Sequence, residues 1–186
     1  MKVAIYCGSA KGNNPNFVAG VKALATYFAE QGIEVVYGGG KVGLMGEMAD
    51  AMIAAGGNVI GVITKHLEDK EIAHPNLTDL YVVEDMHERK AKMAELADAF
   101  VALPGGIGTL EEIFEVWTWA QIGLHEKPCA FYNIEGFYDP LFTMVDRMFE
   151  AGFVKAPYVD MLIRAQTPED LLAAFEGYQA PAQKWA

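Results

Sequence analysis

The chain has 186 residues, 14 Lys+Arg against 25 Asp+Glu, a formal net charge of −11, and 52% of its residues in the apolar and aromatic set. That composition is too apolar for a disordered chain, and the length fits one domain, 1–186, that buries a core without staples. The acidic balance argues against a nucleic-acid-binding surface, which needs a basic face, but leaves room for a small anion held by backbone N–H groups and a few local cations.

Strand-like and helix-like segments alternate along the chain. Val3 to Cys7 is a short apolar strand closed by Gly8. Asn14-Pro15 opens a helix, with Asn as cap and Pro in the first turn, and its apolar residues Phe17, Val18, Val21, Leu24, Ala25 and Phe28 recur at three and four. Ile33 to Tyr37 is a second strand. A glycine loop follows, then a helix from Leu44 to Ala55 that Gly56-Gly57 stops. Asn58 to Ile63 is a third strand. Residues 64–77 are irregular or weakly helical. Leu80 to Val83, Ala99 to Leu103 and Pro128 to Tyr132 read as strands. Met86 to Leu96, Thr109 to Ile122 and Tyr138 to Ala151 read as helices. Tyr158 to Ile163 is ambiguous, Thr167-Pro168 opens a last helix, and the tail after Gly177 reads as frayed.

Near-continuous apolar strands alternating with helices predict an α/β fold, doubly wound, with a mainly parallel sheet and helices on both faces. In such a fold ligands sit beyond the carboxyl ends of the strands. No stretch approaches about 18 consecutive apolar residues, so no membrane contact is expected. Val3 to Cys7 is too short for a signal-peptide core. Cys7 and Cys129 are too few for a disulfide framework and read as buried thiols in a reducing compartment, so the cytoplasm is the default location.

Three loops rich in small residues fall at strand C-termini: Gly8-Ser9-Ala10, Gly38 to Gly46, and Pro104 to Thr109. Gly38-Gly39-Gly40-Lys41-Val42-Gly43 fits G-x-G-x-x-G, but the acid that a dinucleotide site wants about twenty positions on is missing. Lys41 is followed by Val42 rather than Ser or Thr, so it is no P-loop. Tight packing and a phosphate or ribose cradle both remain open for it. Pro104-Gly105-Gly106-Ile107-Gly108-Thr109 is more informative, because a glycine turn feeding a helix N-terminus suits a phosphate. Thr109 and Glu112 also fit a T-x-x-E capping box, which would make Glu112 a cap. Against that, Glu111, Glu112 and Glu115 crowd the first two turns, and a carboxylate beside a sugar suits work on water or on developing positive charge.

Arg89 is one of three arginines and sits with Lys90 and Lys92 in the densest cationic cluster. It reads either as a solvated face with a Glu88–Lys92 pair or as a fork for phosphate or a leaving base. Ser9, the only serine, lacks a nucleophile-elbow context and suits a hydroxyl donor. His66, His74, His87 and His125 show no metal-ligand spacing, so no metal is expected. The helix Ile113 to Ile122, apolar on nearly every side, is buried within the fold or against another chain.

These residues resemble the LOG ("lonely guy") family, the cytokinin riboside 5′-monophosphate phosphoribohydrolases often labelled lysine decarboxylases. The resemblance runs through Leu103 to Glu112, Trp119-Ala120-Gln121, Lys127-Pro128, Met86 to Lys90, Gly38-Gly39-Gly40 with Gly43 to Gly46, and Cys7-Gly8-Ser9. It implies a Rossmann-like fold, a homodimer with the active site near the interface, and hydrolysis of the N-glycosidic bond of AMP or an N6-modified AMP to the free base and ribose 5-phosphate. By the same resemblance Arg89 and Glu112 are the catalytic pair. The substrate side is Ser9, Gly39, Gly40, Glu71, Lys90, Gly105, Gly106, Ile107, Gly108, Thr109, Glu111 and Thr118. Ala10 stands where many members carry a second serine or an arginine. No cofactor is implied, and the pyridoxal lysine and ring-nitrogen partner of a decarboxylase are not recognisable. The competing expectation is a non-catalytic module of the same superfamily that carries a nucleotide or molybdenum cofactor.

Overall fold

The computed structural model describes residues 1–70 and 72–183. Seven strands form one sheet in the order β4-β3-β2-β1-β5-β6-β7, with β1 Lys2–Tyr6, β2 Glu34–Tyr37, β3 Val59–Thr64, β4 Asp79–Val83, β5 Ala99–Ala102, β6 Cys129–Tyr132 and β7 Leu162–Ala165. Every neighbouring pair is parallel. The helices are α1 Pro15–Glu30, α2 Gly43–Ala54, α3 Lys65–Glu68, α4 Met86–Leu96, α5 Ile107–Gln121, α6 Asp139–Glu150, α7 Ala156–Asp160 and α8 Pro168–Glu176.

The two-residue period of the strands divides the core. Val3, Ile5, Val35, Tyr37 and Val101 face one way and pack with Val21, Leu24 and Phe28 of α1, Met48 and Met52 of α2, and Leu171 of α8. Ala4, Tyr6, Val36, Phe100 and Ala102 face the other way, against Met93 of α4, Ile113 and Trp117 of α5, and Phe142 of α6. The sheet is therefore covered on both faces, as near-continuous apolar strands require.

Several elements begin as their sequence signals dictate. The Asn14 side chain accepts from Asn16 N–H at 2.9 Å with Pro15 following, and Thr167 accepts from Asp170 N–H at 3.1 Å. The ambiguous stretch 158–163 divides into the end of α7 and the start of β7. The weak segment after β3 contributes one helical turn, α3, and then runs back along the glycine loop. Among the described residues beyond Gly177 there is no regular element, yet Ala182 O accepts from Tyr158 Oη at 3.3 Å.

The strand order reverses between β1 and β5, the chain having run outward to β4 before crossing back. That topological switch point is where the ends of two adjacent strands leave a crevice. Gly8 N–H donates to Pro104 O at 3.0 Å and Leu44 N–H donates to Gly8 O at 3.0 Å, which ties the loops after β1, β2 and β5 together. Gly43, at φ +61°, makes this possible, since a Cβ there would lie 2.2 Å from the Ser9 carbonyl carbon. We expect Gly43→Ala to destabilise the protein by about 2–4 kcal/mol, from backbone strain and overlap together. The check is a lower urea midpoint at unchanged m-value.

Candidate active site

A cleft of about 230 Å³ opens where β1 and β5 end, lined by Ser9, Lys11, Gly105 and Gly106 with Phe17 and Phe137 on its apolar wall. Helix α5 starts beside it. The helix begins at Ile107 with Gly106 as cap, and no side chain caps it. This corrects the capping-box expectation: Thr109 lies inside the helix and is buried against Gly105, where an added Cβ would meet its Oγ1 at 2.1 Å. Glu112 is therefore not occupied with its own helix terminus. The exposed segment Gly106-Ile107-Gly108 presents free N–H groups at the positive end of the helix dipole.

The other half of the site lies on the α4–α5 side of the sheet, outside the lining of that cleft. Helix α4 is capped by Asp85, which accepts from His87 and Glu88 N–H at 2.8 and 2.9 Å. Its second turn sends Arg89 and Lys90 inward, each 8% exposed. The solvated-face alternative for this cluster is thereby overturned: Lys92 pairs with Glu95 at 3.0 Å rather than with Glu88, whose Oε2 accepts from Glu84 N–H at 2.9 Å. Arg89 Nε donates to Val62 O at 2.9 Å, and Nη1 donates to Glu112 Oε1 at 3.3 Å. Its Nη2 lies on the bare Cα of Gly38, where a Cβ would sit only 1.9 Å away.

Lys90 serves the other two carboxylates. Its Nζ donates to Glu111 Oε1 at 2.6 Å and lies 3.0 Å from Glu115 Oε2, which otherwise lacks a hydrogen-bond partner among the described residues. Among the described residues two cations thus face three carboxylates. Burial pushes the Glu112 carboxyl up to about 7, Arg89 pulls it down, and Glu111 raises it further. Desolvation outweighs the facing guanidinium. Hydrogen bonding to Glu111 holds the Lys90 ammonium above its ordinary range. Beneath them the Tyr6 phenol is pushed well up, by burial first and then by Glu112.

The predicted residues therefore gather in two adjoining groups, Ser9 with Gly105 to Thr109, and Arg89 and Lys90 with Glu111 and Glu112. Gly39 and Gly40 are buried and their carbonyls are engaged, accepting from His74 N–H at 2.8 Å and Tyr37 Oη at 3.0 Å. They reach the site through Gly38. Thr118 stands on an exposed face farther along α5 and donates to Phe114 O at 2.7 Å. Glu71 lies outside the described residues. Val62 O and Gly38 escaped sequence reading: a carbonyl carries no sequence signal, and Gly38 looked like one more loop glycine. No group of three metal-ligating side chains occurs among the described residues, and no described helix is long and apolar enough to cross a membrane.

A family model described as "Possible lysine decarboxylase" matches residues 45–175. A cytokinin riboside 5′-monophosphate phosphoribohydrolase of Oryza sativa subsp. japonica is 44% identical over 177 residues, covering 95% of this chain and 73% of that protein. Another of that name, from Arabidopsis thaliana, is 40% identical over 185 residues, covering 100% of this chain and 87% of that protein. Among solved structures, the molybdenum cofactor binding protein of Rippkaea orientalis superposes with a TM-score of 0.71 at 18% identity, covering 94% of each chain. At that identity the likeness concerns the fold alone.

A carboxyl raised from 4.5 to about 7 favours the fold when neutral, so its contribution is complete below pH 4.5 and lost as pH rises through 7. The difference is about 3 kcal/mol. We expect Glu112→Gln to gain stability relative to the parent as pH goes from 5 to 8. Thermal melts at the two pH values check it, and a constant difference would remove the buried-carboxylate account.

Proposed function

The chain belongs to the LOG family of cytokinin riboside 5′-monophosphate phosphoribohydrolases, and from that premise we propose that it hydrolyses the N-glycosidic bond of AMP or an N6-modified AMP to the free base and ribose 5-phosphate. The observation that carries the reading is the buried Arg89–Glu112 pair beside an uncapped glycine-rich helix N-terminus. The two halves match the two ends of a nucleotide. The 5′-phosphate takes the N–H groups of Gly106 to Thr109 and the Ser9 hydroxyl, and the ribose then reaches toward Glu112.

In the reaction the bond from ribose C1′ to the base nitrogen breaks and its electron pair leaves with the base. Positive charge develops on the ribose, and the Glu112 carboxylate stabilises it. A water adds its oxygen to C1′. Glu112 accepts the water's proton, and the departing base takes up a proton in turn. Arg89 holds Glu112 in place and sets a positive charge beside the nucleotide. Lys90 offsets part of the negative charge of Glu111 and Glu115, which would otherwise repel the phosphate more strongly. No step asks for a cofactor.

The decarboxylase description does not fit these residues. A pyridoxal Schiff base needs a lysine amine that loses its proton readily. Lys90, the buried lysine of the site, is clamped by two carboxylates and held as ammonium. A non-catalytic carrier would use the glycine loops but has no need of a desolvated Arg89–Glu112 pair.

The same reading makes the protein a homodimer whose second copy covers the α4–α5 face. Ile107 and Leu124 are exposed there, and Trp119 lines a groove with Ala91 and Ala94. The buried free thiols Cys7 and Cys129 fit a cytoplasmic location.

We expect free base from AMP and N6-isopentenyl-AMP and none from the matching nucleosides, with kcat/KM rising with pH through about 7 as Glu112 ionises. Glu112→Gln should lower kcat by about 100- to 10,000-fold, abolish that acid limb and leave nucleotide binding within a few-fold. Chromatographic product analysis with binding calorimetry measures all of this. Nucleotide bound tightly and never cleaved would favour the carrier instead.

A further inference from the structure

His74 is buried in a segment that reads as irregular and has no part in the reaction above. Its ring is fixed on both sides. Nδ1 accepts from Asn76 N–H at 3.2 Å, which leaves Nε2 to donate to Asp50 Oδ1 of α2 at 3.1 Å. Its backbone N–H donates to Gly39 O at 2.8 Å, and two residues earlier Ile72 O accepts from Lys41 N–H at 2.9 Å. An isolated antiparallel bridge joins Gly40 to Ala73 between them. From the other side Tyr37 Oη donates to Gly40 O at 3.0 Å. The backbone of residues 38–40 is thereby held between β2 and residues 72–74.

That backbone is what Arg89 rests on. With Nη2 against the Cα of Gly38, any drift of the loop moves one edge of the guanidinium while Nε stays on Val62 O. The loop glycines supply no side chain to resist such drift, and Gly39 is at φ +73°. They are held by Tyr37 on one side and by the flanking segment on the other, and the buried anchor of that segment is the His74 ring tied to α2.

We propose that His74 is a positioning residue for Arg89: braced by Asp50, it locks the Gly38–Gly40 loop that seats the guanidinium beside Glu112. This rests on the hydrolytic reading of that pair. Loosening the seat weakens the Arg89–Glu112 contact, whereas Lys90, Glu111, Glu115 and Tyr6, which also face Glu112, stay in place.

The test uses His74→Ala and, because a buried ring was removed, Asp50→Ala at a largely exposed carboxylate whose loss leaves the core intact. Both should lower kcat/KM for AMP, by about tenfold or more for His74→Ala, and move its acid limb to higher pH, because the neighbour that keeps Glu112 ionised has receded. His74→Gln, whose amide can still donate to Asp50, should restore most of both. In nitrogen-labelled protein the Arg89 Nη–H signals should exchange faster in the alanine variants while the Nε–H signal, held on Val62 O, stays as in the parent, a readout independent of turnover. Folded alanine variants with an unshifted limb and unchanged Arg89 exchange would overturn the proposal. A wild-type protein that cleaves no nucleotide, with Arg89 exchange still dependent on His74, would overturn the hydrolytic reading while leaving the clamp.

Discussion

The site is organised around one uncompensated charge. Glu111, Glu112 and Glu115 occupy two turns of α5, and among the described residues only Arg89 and Lys90 pair with them. Lys90 is a point charge shared between Glu111 and Glu115. Glu112 therefore has a single partner, at 3.3 Å, in surroundings that disfavour any charge. Had the attraction exceeded the desolvation, Glu112 would be a quiet, fully ionised structural carboxylate. Because desolvation exceeds it, the group sits near neutrality and has most to gain from positive charge arising beside it. A ribose losing its base supplies that charge, and it arises only in the transition state, where stabilisation accelerates rather than merely binds.

The fold places this imbalance without straining the sheet. Since the strand order reverses between β1 and β5, the loops that follow them are neighbours, and α5 begins at the crevice they leave. Parallel strands all end on the same rim, so the carbonyl of Val62 in the second half of β3 and the bare backbone of Gly38 after β2 meet the side chain that α4 sends back across them. Glycine matters at Gly38 and Gly43 for a steric reason: another group occupies the place of a Cβ. The G-x-G-x-x-G spacing is the trace of that packing, which explains why the loop lacks the acid and the hydroxyl that cofactor versions of the motif require.

Most of the architecture was legible because strand periodicity and helix caps are local. Val21, Leu24, Ala25 and Phe28 on α1 and the caps Asn14 and Thr167 needed no tertiary information. What failed was choice among local options. T-x-x-E at Thr109 and Glu112 fits a capping box, but Gly106 turns the chain three residues earlier, and Glu112 is drawn inward by Arg89 instead. Glu88 and Lys92 have the spacing of a surface pair, yet Glu88 turns back to the start of α4 and Lys92 reaches Glu95. The stretch around His74 has no period at all. Its order comes from backbone bonds to Gly39 and Lys41, which no pattern of side chains can announce.

The division of labour between the adjacent cations also has a physical reason. Arg89 must satisfy a backbone carbonyl with one nitrogen, meet a carboxylate with a second, and lay a third flat on a glycine, which takes a rigid planar fork. An ammonium could reach one of those partners and would leave the others bare. Lys90 has the opposite task of standing between two carboxylates from successive turns, where three donors on a single nitrogen suffice. Exchanging the two would leave the charge count unchanged and still destroy the geometry. The order Arg-Lys, rather than the presence of two cations, is therefore the part of the pattern that fixes which glutamate is left poised.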